Sequence, residues 1–247
     1  MSKVFVTFGN ERFKESRNRI ALEAENIKYF DKIVSYSEAD LKSDTSFWEK
    51  HGAFIEANSR GYGYYIWKAH LIAKTLSGMK NGDILVYLDS GCTFNQRGFP
   101  RFLEYINLVN AHPSNMLTFH LTHLEKSWTK MDAVNLLLGD ADKLNTSATA
   151  DSLLNTLQVL SGIFIIKKAP NTVSFIDKWC QYSSVYHLIN DAPSVVPNDP
   201  AFRENRHDQS ILSLLVKLFN VQMIPDETYS FPNWDLKLPF WATRIRK

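Results

Sequence analysis

Asp83-Ile84-Leu85-Val86-Tyr87-Leu88-Asp89-Ser90-Gly91-Cys92 is the stretch that decides the fold. The unbroken apolar run from Ile84 to Leu88 predicts a strand buried on both faces, as in a parallel sheet covered by helices. Asp89 then stands where the chain leaves the sheet. In open α/β sheets, ligands bind in the crevice at the carboxyl ends of the strands, so a carboxylate there is placed to hold a metal ion or a sugar hydroxyl.

The residues on the amino-terminal side alternate strand and helix. Val4 to Phe8 reads as a strand ended by Gly9-Asn10, Glu11 to Asn26 as a helix, and Lys32 to Tyr36 as a second strand. Ser46 to Asn58 and Tyr64 to Met79 read as helices, and Asn81-Gly82 as a turn before Ile84. This βαβ(α)αβ order implies an α/β fold with a central, mostly parallel sheet and helices on both faces. On the carboxyl side the pattern is less regular. Helices are expected over 98–110, 129–138, 171–186 and 207–219, and strands over 115–120, 159–166 and 221–224. The second of these strands is interrupted by Ser161-Gly162, which predicts a kink or a close backbone approach. Residues 139–151 read as a polar loop, and 192–205, with three prolines, as a loop long enough to serve a function.

A chain of 247 residues suits one domain, since single cores extend to roughly 250 residues. We expect one domain over 1–247, with a nucleotide-binding half over about 1–95 and an acceptor-side half over about 96–247. The formal charge of +2 lacks the concentrated basic face that nucleic acid requires. Cys92 and Cys180 form no disulfide framework and suit a reducing compartment, so the expected location is cytoplasmic. Met1-Ser2-Lys3 runs directly into the expected first strand, so no signal peptide is expected. No stretch approaches the roughly 20 apolar residues of a membrane span, so any membrane contact is expected to be peripheral or through a partner.

Three constellations carry candidate chemistry. In Arg60-Gly61-Tyr62-Gly63-Tyr64-Tyr65-Ile66-Trp67-Lys68, glycines precede a helix whose free N–H groups and positive dipole end favour an anion such as a diphosphate. Tyr65, Lys68, Ile72, Leu76 and Met79 share one helical stripe, which places Lys68 on the buried face, where a lysine needs an acidic or phosphate partner. The plainer reading is a lysine snorkelling past Tyr65. Asp89-Ser90-Gly91 is half of a D-x-D pair; either a metal there takes other ligands, such as Asp208 or His207, or arginine and lysine replace it. Alternatively, Asp89 only caps the turn. Arg206-His207-Asp208-Gln209-Ser210-Ile211 opens an amphipathic helix in which Asp208 is a helix cap, a base, or a group that orients a sugar. Trp128, Lys130, Gln158, Ser161 and Gly162 are further polar candidates near element ends, and equally ordinary surface residues. The tail from Trp234 to Lys247, with Arg244, Arg246 and Lys247, could fold over a diphosphate, rest on anionic lipid or cover an apolar patch.

Taken in order, Arg60-x-Tyr62-Gly63-Tyr64-x-Ile66-Trp67-Lys68, Gly82-Asp83-Ile84-Leu85-x-Tyr87-x-Asp89-x-Gly91-Cys92, Trp128-Thr129-Lys130-x-Asp132 and His207-Asp208-Gln209-Ser210 resemble a family of GT-A glycosyltransferases of bacterial and large-virus glycan synthesis, over about residues 3 to 220. The resemblance implies a GT-A fold, a nucleotide-sugar donor (a UDP-sugar is favoured), a glycan acceptor, and a divalent cation, Mn2+ or Mg2+. It implies that Thr7, Phe8 and Gly9 line the nucleotide, Arg60 and Lys68 the diphosphate, Asp89 the metal or ribose, and Asp208 the sugar. Tyr65, Ser90 and Gly91 complete the expected donor site, and Trp128, Lys130, Gln158, Ser161, Gly162 and His207 the expected substrate side. Gly91 departs from the family pattern at the second acid, which bears on the use of a metal. Two other functions are open on these residues: a non-catalytic domain that binds nucleotide sugar or carbohydrate, and a phosphohydrolase with Asp89 as nucleophile.

Overall fold

A computed structural model describes residues 1–140, 147–229 and 232–246. Part of the loop expected over 139–151, namely residues 141–146, lies outside the described residues, as does Lys247 of the tail. The strands are β1 (Lys3–Phe8), β2 (Lys32–Tyr36), β3 (Ile84–Leu88), β4 (Thr93–Phe94), β5 (Met116–Leu124), β6 (Leu157–Val159), β7 (Ile163–Lys167), β8 (Gln222–Pro225) and β9 (Phe240–Trp241). The helices that place the site are α1 (Lys14–Asn26), α2 (Thr45–Ala57), α3 (Trp67–Ser77), α4 (Phe99–Ala111), α5 (Pro170–Ser183) and α6 (Asp208–Leu218).

The main sheet runs β2-β1-β3-β7-β5-β6, with β8 also paired to β5. β2, β1 and β3 are mutually parallel, as is the β5–β8 pair. β7 runs antiparallel to both β3 and β5, with Leu88 facing Ile163. That reversal matters for function, because it brings the residues just before β7 to the carboxyl end of β3. The interruption expected at Ser161-Gly162 is this break between β6 and β7, and Asp89 N donates to Gly162 O at 2.8 Å.

Alternation along the strands divides the core into two layers. Val4, Val6, Phe8, Leu85 and Tyr87 face one layer with Leu71 and Ile72 of α3, Trp179 of α5 and the apolar side of α6. Phe5, Ile84, Val86 and Leu88 face the other with Ile20 of α1 and Phe102 of α4. Since β3 is buried on both faces, all five of its residues are apolar. Among the described residues, no helix is long and apolar enough to cross a membrane.

One expected boundary differs. The helix expected from Tyr64 begins at Trp67, because Gly61, Tyr62, Gly63, Tyr64 and Tyr65 all have positive φ, from 52° to 82°. They form a left-handed turn closed by Tyr64 N to Arg60 O (2.8 Å) and Tyr65 N to Gly61 O (3.1 Å). A left-handed residue other than glycine costs roughly 1–2 kcal/mol, and this turn holds three tyrosines there. Trp67 Nε1 helps to fix it by donating to Gly61 O at 3.0 Å.

Candidate active site

The left-handed turn fixes the start of α3, and with it Lys68, beneath the carboxyl ends of β1 and β3. Lys68 is 1% exposed. Its Nζ lies 3.1 Å from Asp89 Oδ1 and 3.3 Å from Asp208 Oδ2, and donates to Ser161 O at 3.3 Å and Ser161 Oγ at 3.4 Å. The rings of Tyr65 and Tyr87 also border the ammonium, with centroids 5.2 and 5.4 Å away. Four separate parts of the sequence therefore meet at one cation: the start of α3, the end of β3, the junction of β6 and β7, and the start of α6.

Burial opposes charge on Lys68, but the Asp208 and Asp89 carboxylates outweigh it, so the ammonium is held above its ordinary value and stays protonated. Asp208 behaves differently. Full burial pushes its carboxyl from 3.8 up to about 6, and Asp89 adds to this while Lys68 only partly offsets it. Asp89 is the accessible member, with 37% of its side chain exposed, and its Oδ1 also accepts from Tyr87 Oη at 2.7 Å. Two carboxylates against one ammonium leave the cluster with one acid in excess, and Asp89 is its solvent-facing member.

Gly162 lets the Asp89 carboxylate approach the backbone closely. A Cβ there would stand 2.9 Å from Asp89 Oδ2. Behind Ser161, a buried polar chain runs inward: Ser161 N donates to Gln209 Oε1 (3.3 Å), Gln209 Nε2 to Gln158 Oε1 (2.8 Å), and Gln158 Nε2 to Glu125 Oε1 (3.3 Å). Glu125 is fully buried and pairs with Lys217 and Ser213. Gln158 thus supports the site from below rather than facing it.

The other candidates fall into three places. Thr7, Phe8 and Gly9 end β1 beside the cluster; Phe8 packs on Trp67 with centroids 3.9 Å apart, and Thr7 Oγ1 and Asn10 Oδ1 are buried without a hydrogen-bond partner. Arg60, Trp128 and His207 gather about the start of α6: Arg206 N donates to Trp128 O at 3.0 Å, and His207 Nε2 lies 3.9 Å from the Asp191 carboxylate that Arg60 pairs with. Arg60 pairs with Asp191 at 3.2 Å and Glu204 at 3.7 Å, and the Trp128 ring lies 4.0 Å from the Arg206 guanidinium. His207 is buried at φ +59°, its Nδ1 2.7 Å from Ile189 O, and burial pulls its imidazole below the ordinary value. Lys130 stands apart from the cluster: its Nζ donates to His187 O at 2.7 Å and Asn190 Oδ1 at 3.1 Å, fixing the segment that leads into the loop 191–205. That loop surrounds a cavity of about 630 Å³ lined by Asp191, Phe202, Arg203 and Glu204 among others, and Lys68, Asp89 and Asp208 do not line it.

Ser90 and Gly91 are held through their backbone. Ser90 O accepts from Arg19 at 3.1 Å, and Gly91 O accepts from Ile245 N at 3.0 Å and from Thr243 Oγ1 at 2.9 Å. Three functional candidates escaped the sequence reading: Tyr87, hidden inside an apolar run, Asn10, and Arg206, whose only signal was its place next to His207-Asp208.

Among the described residues, no group of three or more His, Cys, Asp or Glu side chains is placed to hold a metal ion. The two carboxylates that a divalent cation would need are instead bridged by the Lys68 ammonium. The side chains present therefore do not fit a resident Mn2+ or Mg2+.

No family model matches the chain, and no curated protein does. Among solved structures, the chain is similar to a glycosyltransferase involved in the glycosylation of the major capsid of PBCV-1. The TM-score is 0.50 and the identity 11%, over 98% of this chain and 92% of that one. Mouse xyloside xylosyltransferase 1, in its apo form, gives a TM-score of 0.45 at 11% identity over 91% of this chain and 84% of that one. At such identity the first likeness bears on the fold alone: a mixed α/β fold of the GT-A type, shared with a solved glycosyltransferase.

Proposed function

We propose that the chain is a glycosyltransferase that moves a sugar from a nucleotide-diphosphate donor, a UDP-sugar by preference, to a hydroxyl of a glycan acceptor. One observation carries this reading. The buried Lys68 holds Asp89 and Asp208 together at the carboxyl edge of β1 and β3, where an open α/β sheet binds its ligand. In the transfer, the bond from the anomeric carbon to the diphosphate oxygen breaks and its electron pair leaves on the diphosphate. A bond to the acceptor oxygen forms, and the acceptor proton passes to a carboxylate of the site or to the departing diphosphate. Positive charge develops on the sugar meanwhile, and the surplus carboxylate charge stabilises it there. The unpaired Thr7 Oγ1 and Asn10 Oδ1 suit the polar edge of a nucleotide.

The test is direct. The full chain incubated with UDP- and GDP-sugars should release the nucleoside diphosphate, slowly without acceptor and faster with a glycan hydroxyl. If it binds neither nucleotide nor nucleotide sugar, this reading is abandoned; binding without turnover under all conditions would support the non-catalytic alternative.

Gly162→Ala probes the geometry. Its methyl would press on Asp89 Oδ2 at 2.9 Å and move the carboxylate off Lys68. A misplacement of ~1 Å costs on the order of 100-fold in rate and the shift needed here is smaller, so turnover should fall by roughly tenfold with little change in melting temperature. Wild-type turnover in this variant would mean that Asp89 does not need its present position.

A further inference from the structure

The missing second acid and the tail have one explanation. Gly91 lies under the segment 240–246, which is fastened at several points. β9 pairs antiparallel with β4, Thr243 Oγ1 and Ile245 N donate to Gly91 O, and Ser16 Oγ donates to Ile245 O at 3.0 Å. A Cβ at Gly91 would already touch Arg244 Cα and Ile245 O, both at 3.4 Å, so a carboxylate side chain would grow into this strap. The strap turns at Arg244, whose φ of +56° is a conformation that residues other than glycine adopt only at a cost and that gathers at ligand sites.

The turn presents an exposed guanidinium. Among the described residues Arg244 pairs with no carboxylate, and the nearest ring is Tyr229, 5.9 Å from its centroid. Arg206, its guanidinium 4.0 Å from the Trp128 ring centroid, stands just before Asp208, as the strap at Arg244 lies against Gly91 just after Asp89. Glu204 and Asp191 pair with Arg206 and Arg60 but leave Arg244 uncompensated. The site is therefore polarised, with carboxylate charge at Asp89 and Asp208 and, on the other side, three arginines, Arg60, Arg206 and Arg244, against the two acids Asp191 and Glu204. That is the charge pattern of a separating sugar and diphosphate. Lys68, enclosed between its two acids, has no free face for a phosphate.

We propose that this chain binds the donor diphosphate without a divalent cation, through Arg244 of the strap together with Arg206, while Lys68 takes the place between the acids that a metal would occupy. This deepens the glycosyltransferase reading and rests on it. Arginine forks suit phosphate oxygens, and two of them can neutralise the leaving group.

Calorimetry on the full chain with UDP and with GDP, in EDTA and again in millimolar manganese, tests the inference. Whichever nucleotide binds should bind equally well, within about threefold, in both conditions. Loss of one charge-assisted contact weakens binding about ten- to hundredfold, so Arg244→Ala should show that loss in EDTA, with Arg244→Lys in between. Thr243→Val loosens the strap but keeps the guanidinium, so it separates lost anchoring from lost charge; it should weaken binding far less than Arg244→Ala. Binding that requires manganese, or Arg244→Ala binding as wild type, overturns this inference and leaves the transferase reading standing. Equal losses in Thr243→Val and Arg244→Ala overturn it as well, since anchoring alone would then explain them. If neither nucleotide binds in any condition, the transferase reading fails and takes this inference with it.

Discussion

Replacing Lys68 with methionine should produce the largest loss of stability of any single substitution at the site. Methionine fills a similar volume, so the change removes a charge and little packing. What remains is Asp208, buried, and Asp89 beside it, with no cation between them. Removing one partner of a buried ion pair typically costs about 3–5 kcal/mol, because the other charge is left without compensation. The pH dependence identifies the cause. The Asp208 carboxyl sits at about 6 in the folded protein against an ordinary 3.8, so its contribution to stability is complete below about 3.8 and lost as pH rises through about 6. Lys68 partly holds that value down, so without it the carboxyl rises further and the loss extends to higher pH. Urea unfolding should therefore show a deficit near pH 8 that shrinks markedly near pH 5. A deficit that is equal at both pH values, or below about 1 kcal/mol, would mean that Lys68 does not hold the two acids together.

The first half of the fold was legible because its signals are local. The apolar run at Ile84–Leu88 and the strand at Lys3–Phe8 are set by burial on both faces, and such runs announce themselves without knowledge of the neighbours. The helical stripe placed Lys68 on a buried face, and the residue is buried. Pairing direction carries no such signal. Nothing within Ile163–Lys167 says that it runs antiparallel to β3, although that reversal is what delivers Ser161 and Gly162 to Asp89. The left-handed turn at Tyr62, Tyr64 and Tyr65 was hidden for another reason. Backbone propensity disfavours tyrosine there, and the Trp67 indole together with close packing on Ile55 in α2 holds it in place. Lys130 and Gln158 were singled out by their polarity near element ends. Their polarity serves the anchoring of a loop and a buried network, uses that look identical in sequence.

Asp208→Asn should leave the protein folded and remove most of its turnover. Burial already disfavours the ionised carboxyl, as its rise to about 6 records, so a neutral amide of the same shape does not burden the core. Lys68 keeps Asp89 at 3.1 Å and the Ser161 oxygens at 3.3 and 3.4 Å, and so retains a compensating charge. The catalytic effect is larger, because the cluster then carries no net charge where the sugar becomes positive. Loss of a positioned acid–base or charge-stabilising carboxylate costs roughly 10²–10⁴-fold in turnover, and affinity for the donor should change much less. Wild-type turnover should rise with pH through about 6 as Asp208 ionises, and Asp208→Asn should lack that limb. Asp89→Asn separates the two acids: its carboxylate is the exposed one, so the change should weaken donor binding while an ascending limb persists, moved to lower pH because the Asp89 charge no longer helps to raise Asp208. The decisive measurement is the pH profile of donor hydrolysis for the three proteins side by side. Should Asp208→Asn keep full activity, or keep the same ascending limb, the carboxylate belongs to the packing of α6 and not to the reaction.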